Sequence, residues 1–332
     1  MRRRDLLARC LTGVALAAGS ACSRRRASSL QKLRVGASRQ LSTSSLHLAY
    51  ELGLFREAGF DVEILQTGGP LNAMALLAGG KCDVQFGSFN IALLNAVVKG
   101  LPLRIVAGRE LAVVNCGNMG AIYGSRRTFP HGLTDITQLK GKRVATGRAI
   151  GIAEFVLDAH LAGAGLSTRD VTTVSLDFRQ DVAALLGGGV DAIVVTDDFD
   201  RDLTSLSSEF VHTPGLARIY PGFQYSYIFF GRTMLASELD RGARFLSAYL
   251  RGAREFARGR TPRFMADFAR AYGLDPSRAV TVCRNSFPLD GAIDLNSVRL
   301  FADWAAGRKY VPRRVEVSEL VDDRFLRRAH AS

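Results

Sequence analysis

Apolar and polar positions along the chain fall into short β-prone runs separated by helical periods. Leu33 to Ala37 is β-prone and ends at Ser38, Arg39 and Gln40. Leu46, Leu48, Ala49 and Leu52 then mark a helical face, for which Ser44 and Ser45 are the expected N-caps. Asp61 to Thr67 alternates like a half-buried strand, and Gly68-Gly69-Pro70 turns the chain. A helix from Asn72 to Ala78 leads through Gly79-Gly80 into a strand over Cys82 to Gly87. Ser88, Phe89 and Asn90 follow, then an Ala/Leu/Val-rich helix and a strand from Leu103 to Ala107. Strands alternating with helices in this way predict an α/β fold with a mainly parallel sheet covered by helices.

The same order returns further on. Arg143 to Ala145 is a strand, Thr146-Gly147-Arg148 a turn, and from Gly151 the residues Ile152, Phe155, Val156 and Ala159 recur at helical spacing. Val171 to Leu176 is a strand, Asp181 to Leu186 a short helix, and Asp191 to Thr196 a buried strand running into Asp197, Asp198 and Phe199. ALLAGGKCDVQFGSF from Ala75 and ALLGGGVDAIVVTDDF from Ala184 both read helix, small-residue turn, aspartate, strand, aromatic. A pattern kept in order over both halves indicates an internal duplication. Gly120 to Ser125 is a strand leading out of the first copy. From Gly222, GFQYSYIFFG returns with Tyr225, Tyr227 and Phe229 alternating, so the chain crosses twice between copies. The remainder reads as helical, with Ser237 to Arg258, a Pro262-started helix to Tyr272, and further starts at Pro276 and Asp294. At 332 residues the chain exceeds what one core usually serves. The expected division is 33–115 with 222–332 as lobe one and 116–221 as lobe two, two similar αβ lobes joined by two crossover strands.

Composition alters this picture little, but charge and the N-terminus add to it. Lys and Arg number 44 against 31 Asp and Glu, a net charge of +13. No dense basic patch interleaved with aromatics and no helix-turn-helix or RNA-binding signature is present, which argues against nucleic acid as a partner. Arg241, Arg244, Arg251, Arg254 and Arg258 read as a solvated helix face. Arg2-Arg3-Arg4, the apolar Leu11 to Gly19 and small residues up to Cys22 have the layout of an export signal over residues 1–21. Arg3-Arg4-Asp5-Leu6-Leu7 resembles the twin-arginine pattern, and Gly19-Ser20-Ala21-Cys22 a lipoprotein cleavage site lacking the usual Leu; Cys22 is the expected lipid attachment. Residues 22–32 are a linker. No other run approaches ~20 uninterrupted apolar residues, so membrane contact is expected only through that lipid. Cys82, Cys116 and Cys283 remain, spaced unlike a zinc site. Neither a metal nor a cofactor is expected, and the chain is expected to be a monomer.

Five blocks in order resemble the type II periplasmic substrate-binding proteins of ABC importers, in the branch of sulfonate-, taurine-, nitrate- and thiamine-precursor-binding proteins. They are AYELGLFREAGFDVEIL, ALLAGGKCDVQFGS, DITQLKGKRVATGR, LAGAGLSTRDVTTVSL and ALLGGGVDAIVV, with SELVDDRFLRRA as a closing segment. The resemblance implies an inter-lobe ligand cleft, hinge closure, and delivery of a small molecule to permease transmembrane subunits from outside the cytoplasmic membrane. Loops beyond strand carboxyl ends form the crevice of open α/β sheets. Here these carry Ser38, Arg39, Gln40, Gly69, Ser88, Phe89 and Asn90 in lobe one, and Thr146, Gly147, Arg148, Gly151, Asp197 and Phe199 in lobe two. Arg39 and Arg148 can fork onto a sulfonate or carboxylate or stay surface charges. Phe89 and Phe199 can stack on a flat ligand or belong to the core. Asp197 and Asp198 can cap a helix or hold an amine or pyrimidine. The expected ligand is a small organic anion; the alternatives are a thiamine-precursor pyrimidine, an enzyme on the same fold, or a sensing module. No catalytic residue is assigned, since His47, His131, His160, His212 and His330 are scattered.

Overall fold

The computed structural model describes residues 30–38, 41–67, 70–114, 118–147, 149–176, 178–196, 208–271 and 284–331. Among the described residues ten strands lie in chain order: β1 (Gln31–Ala37), β2 (Phe60–Gln66), β3 (Val84–Ser88), β4 (Arg104–Gly108), β5 (Ala121–Ser125), β6 (Arg143–Ala145), β7 (Thr172–Val174), β8 (Ala192–Val195), β9 (Phe210–His212) and β10 (Ser226–Phe230). They form two five-stranded sheets, ordered β2-β1-β3-β10-β4 and β7-β6-β8-β5-β9. Both are mainly parallel, and each receives one antiparallel strand at the same place: β10 between β3 and β4, β5 between β8 and β9. The residue pattern left this insertion undetermined, because β10 (SYIFF) is buried along its whole length and an all-apolar strand reads alike in either direction.

The duplication extends to individual atoms. Arg34 donates from its backbone N (2.9 Å) and Nε (3.2 Å) to Asp83 Oδ2, and from Nη2 to the Gly80 carbonyl (2.9 Å). Arg143 repeats this on Asp191, with backbone N at 2.9 Å and Nε at 3.3 Å, and Nη2 on the Gly188 carbonyl at 2.9 Å. In both copies the aspartate ties the start of the next strand to the first, and a left-handed glycine, Gly80 or Gly188, turns its carbonyl toward the arginine.

One face of the first sheet packs on helices Ser44–Glu51 and Leu239–Ala257 through Leu46, Phe86, Phe245 and Tyr249. A second cluster joins Leu93, Phe89, Tyr227 and Phe301 to Phe155 and Val156 of the other lobe. Helix Ser44–Glu51 corrects the capping expectation. Ser44 and Ser45 are its first residues, Thr43 holds the cap position without a side-chain cap bond, and the Thr43 hydroxyl donates to the Ser38 carbonyl (2.6 Å). The helix expected from Pro262 begins at Phe264, and the one expected at Pro276 lies outside the described residues. Asp294 does cap helix Leu295–Gly307, accepting from Asn296 N and Ser297 N.

The crossings run antiparallel to each other. Arg109 N donates to the Ser226 carbonyl (2.8 Å), Tyr225 N to Glu110 (3.1 Å) and Ala112 N to Phe223 (2.8 Å). Among the described residues no helix is long and apolar enough to cross a membrane.

Candidate functional site

The carboxyl ends of the parallel strands in the two sheets face each other. Asn90, just beyond β3, forms an antiparallel bridge with Gly151, beyond β6, and Ile91 N donates to the Ile150 carbonyl (3.1 Å). The lobes therefore touch backbone to backbone at this edge of the cleft. Gly151 is required by close approach: a Cβ there would lie 2.9 Å from the Phe89 carbonyl oxygen.

Two of the expected ligand residues stand at that contact. Asn90 is buried, its Oδ1 accepting from Leu93 N (3.0 Å) and its Nδ2 donating to the Ser88 carbonyl (3.2 Å), so it caps helix Ile91–Val98. With Ile150 on the first N–H, the helix start is occupied by the protein's own acceptors. Phe89 is 1% exposed, stacked on Phe301 at 4.6 Å and 9° and edge-on to Tyr227. Phe89 thus lies in the core cluster with Tyr227 and Phe301.

Other expected residues lie at strand ends of the two sheets. Ser38 and Ser88 are half-buried at the ends of β1 and β3. Opposite, Thr146 is buried, with its N–H on the Val174 carbonyl (3.1 Å). Gly147 adopts φ 84° and its carbonyl accepts from Ser175 Oγ (3.2 Å). Arg39, Gln40, Gly69, Arg148, Asp197 and Phe199 lie outside the described residues, as does Cys22.

The crossings contribute residues that the sequence reading did not single out. Arg109 follows β4 and is 2% exposed; its Nη1 donates to Ser226 Oγ (2.8 Å), its Nη2 to the Ser42 carbonyl and toward Glu110 (3.6 Å). Its guanidinium also lies 5.2 Å from the Phe86 ring centroid. It binds the 41–43 turn to the first crossing. An Arg-Glu pair directly after a buried strand was a readable signal for it. A cavity of about 430 Å³ is lined by Ala112, Val113 and Val114 of the first crossing and by Asn118, Met119, Pro214, Gly215, Ala217 and Arg218 on the lobe-two side. Because β5 and β9 are antiparallel, residues 118–119 and 214–218 lie at the same end of that sheet, the end facing lobe one. No local signal marks these residues, since only the pairing of the crossings assembles them.

Three histidines contact backbone carbonyls: His160 on Gly120 (2.9 Å), His212 on Thr213 (2.9 Å) and His330 on Asp290 (2.8 Å). Burial lowers the His160 pKa, against the opposing effect of its Gly120 bond. Burial also pushes the Cys82 thiol up to about 11, which suits an inert core thiol. Among the described residues no group of three or more His, Cys, Asp or Glu is placed to hold a metal ion.

Known proteins share this architecture. The alkanesulfonate-binding protein SsuA from Xanthomonas axonopodis pv. citri, bound to MOPS, superposes with a TM-score of 0.69 at 22% identity, covering 88% of this chain and 98% of that one. The periplasmic nitrate-binding protein NrtA from Synechocystis PCC 6803 gives 0.67 at 12% identity over 91% and 89%. The desulfurization enzyme DSZB gives 0.63 at 14% identity over 91% and 99%. At such identities the likeness establishes a common two-lobed fold. No curated protein matches the sequence. Residues 42–258, more than half of the chain, match the NMT1/THI5-like family model, and the chain belongs to that family.

Proposed function

We propose that the protein is an exported solute-binding component of an ABC import system that holds a small organic anion between its lobes and delivers it to permease subunits. The observation that carries this reading is the cavity of about 430 Å³ where the first crossing meets the lobe-two ends of β5 and β9. Its volume falls within the roughly 300–1,000 Å³ of small-molecule pockets. Val113, Met119, Pro214 and Ala217 provide apolar wall for an organic body, and Arg218 provides the cation for a sulfonate or carboxylate. The sulfonate- and nitrate-binding relatives of the fold support the same choice of ligand class. Arg39 and Arg148 are further cationic candidates. Cys22 is the proposed lipid anchor; Cys22→Ser is expected to release the exported protein from the membrane fraction.

The enzyme reading is favoured by the likeness to DSZB. Three of the five histidines being held by backbone carbonyls weighs against it.

The test is a thermal-shift panel on the mature chain, with MOPS, taurine, nitrate, benzoate, amino acids and an aminopyrimidine. A ligand at ~100 times its dissociation constant should stabilise by about 2.7 kcal/mol. The expected hit is an organic anion, weakened roughly tenfold or more by Arg218→Ala, the scale of a lost charge-assisted pair. A hit confined to cations or neutral compounds refutes the anion, and turnover of the hit refutes transport.

A further inference from the structure

Helix Leu239–Ala257 packs Ala243, Leu246, Leu250 and Ala253 into the lobe-one core and turns its other side outward. On that side Arg244, Arg251, Arg254 and Arg258 follow one another at helical spacing, all exposed. Three nearby carboxylates are engaged. Glu57 pairs with Arg251 (2.8 Å), Glu255 with both Arg258 (2.6 Å) and Arg260 (3.1 Å), and Asp240 with Arg328 (2.6 Å) of helix Arg324–His330. Arg244 donates to the Ala58 carbonyl (2.7 Å) and lies 5.1 Å from the Phe60 ring centroid, while Arg254 pairs with no carboxylate among the described residues. Positive charge is therefore left over along the stripe. Arg254 also stands three residues from Arg251 and four from Arg258, spacings at which like charges on a helix repel. Such an arrangement lowers helix stability, and an external anion relieves the repulsion.

The stripe lies beside the start of the folded chain. Gln31 N, at the head of β1, donates to the Gly59 carbonyl (2.9 Å), one residue on from the carbonyl that Arg244 holds. Only residues 23–30 separate Gln31 from Cys22, at most about 30 Å of extended chain. A lipid on Cys22 would therefore keep this side of lobe one near the bilayer. A lipid chain and a basic patch together anchor far more firmly than either alone.

We propose that this stripe is a membrane-surface contact: lobe one lies against anionic lipid headgroups through Arg244, Arg251, Arg254 and Arg258. At physiological ionic strength, with a screening length of about 8 Å, the stripe orients an anchored protein rather than holding a free one. The contact goes beyond solute capture and shares only its tether with the proposed lipid anchor. The test uses Cys22→Ser protein without ligand, so the contact, the anchor and the solute reading can fail separately.

Mature Cys22→Ser protein is mixed with vesicles of phosphatidylglycerol and phosphatidylcholine in equal parts, or of phosphatidylcholine alone, and bound protein is measured by flotation. The expected result is binding to the anionic vesicles alone at about 0.01 M salt, where the screening length is ~30 Å, and its loss by about 0.15 M. A basic side chain near an anionic surface contributes roughly fivefold in affinity, so Arg244→Gln/Arg254→Gln should weaken binding roughly thirtyfold. Arg244→Lys/Arg254→Lys keeps the charge and should bind like the parent. Arg127→Gln/Arg169→Gln removes equal charge from exposed positions of lobe two and should change binding little. No binding to anionic vesicles overturns the proposal, and so does an equal loss in the lobe-two variant, which would make net charge the cause. Tighter binding to poly-glutamate than to the vesicles overturns it in favour of an acidic protein partner. Far-UV circular dichroism checks each fold. Should the double variant unfold, Arg254→Gln alone keeps the Arg244 contacts and should weaken binding roughly fivefold; unweakened binding there overturns the proposal.

Discussion

Gly151 and Gly147 lie in adjoining loops and answer to different constraints. At Gly151 φ is −172°, ordinary extended backbone, but an added methyl meets the Phe89 carbonyl oxygen at 2.9 Å across the lobe junction. At Gly147 φ is 84° and nothing lies within 4 Å of an added Cβ. Gly151→Ala is therefore expected to cost about 1–3 kcal/mol by overpacking and to loosen the contact between lobes. Gly147→Ala costs about 1–2 kcal/mol through backbone strain alone. Urea midpoints measure both costs, and amide exchange at Ile91, whose N–H bonds Ile150, separates them: only Gly151→Ala should accelerate it.

The twin arginine-aspartate ties show how equal motifs acquire unequal weight. Asp83 has a side chain 6% exposed and Asp191 one 19% exposed, while their arginines are similarly open at 38% and 46%. Removing Asp83 strands the Arg34 backbone N–H in the drier site, so Asp83→Ala should destabilise by about 1–3 kcal/mol, and Asp191→Ala by less, in denaturant titrations. Asp191 also makes a pH prediction. Burial raises its pKa, but the Arg143 side-chain and backbone bonds outweigh that and leave it lowered. A carboxylate with a folded pKa below its unfolded value adds stability above the unfolded value, about 4, and loses it as pH falls through the folded pKa. Glu319 behaves likewise and more strongly, held at about 2 chiefly by its hydrogen bond to Arg313 and by the Glu316 backbone. Stability should thus decline from about pH 4 downward, and Arg313→Gln should flatten part of that decline in acid-unfolding curves.

Across the whole molecule a second pH window arises from His160. Its folded pKa is lowered by burial, so the unfolded chain takes the proton first, and stability falls as pH drops below the unfolded value of about 6.5 toward the folded one. His160→Gln should remove the slope that begins just below about pH 6.5 while leaving the acid limb. Much of the architecture around that histidine was legible in the chain: the strands, the helices, the twofold order and the two crossings all follow from periodicities within windows of ten to twenty residues, where local burial is encoded. The partners of strand-end residues were not legible. Phe89 faces Phe301, Asn90 meets Gly151, and Trp304 reaches Asp158, each across a long stretch of sequence. The sequence by itself determined that two similar αβ units would form and which loops would sit at their strand ends, because side-chain period and turn chemistry are local. Tertiary structure alone decided that β10 and β5 insert antiparallel, that Phe89 and Asn90 serve the core and a helix cap, and that the crossings gather Arg218 beside apolar wall. Those outcomes depend on which distant surfaces meet, and a residue's chemistry does not specify its neighbour.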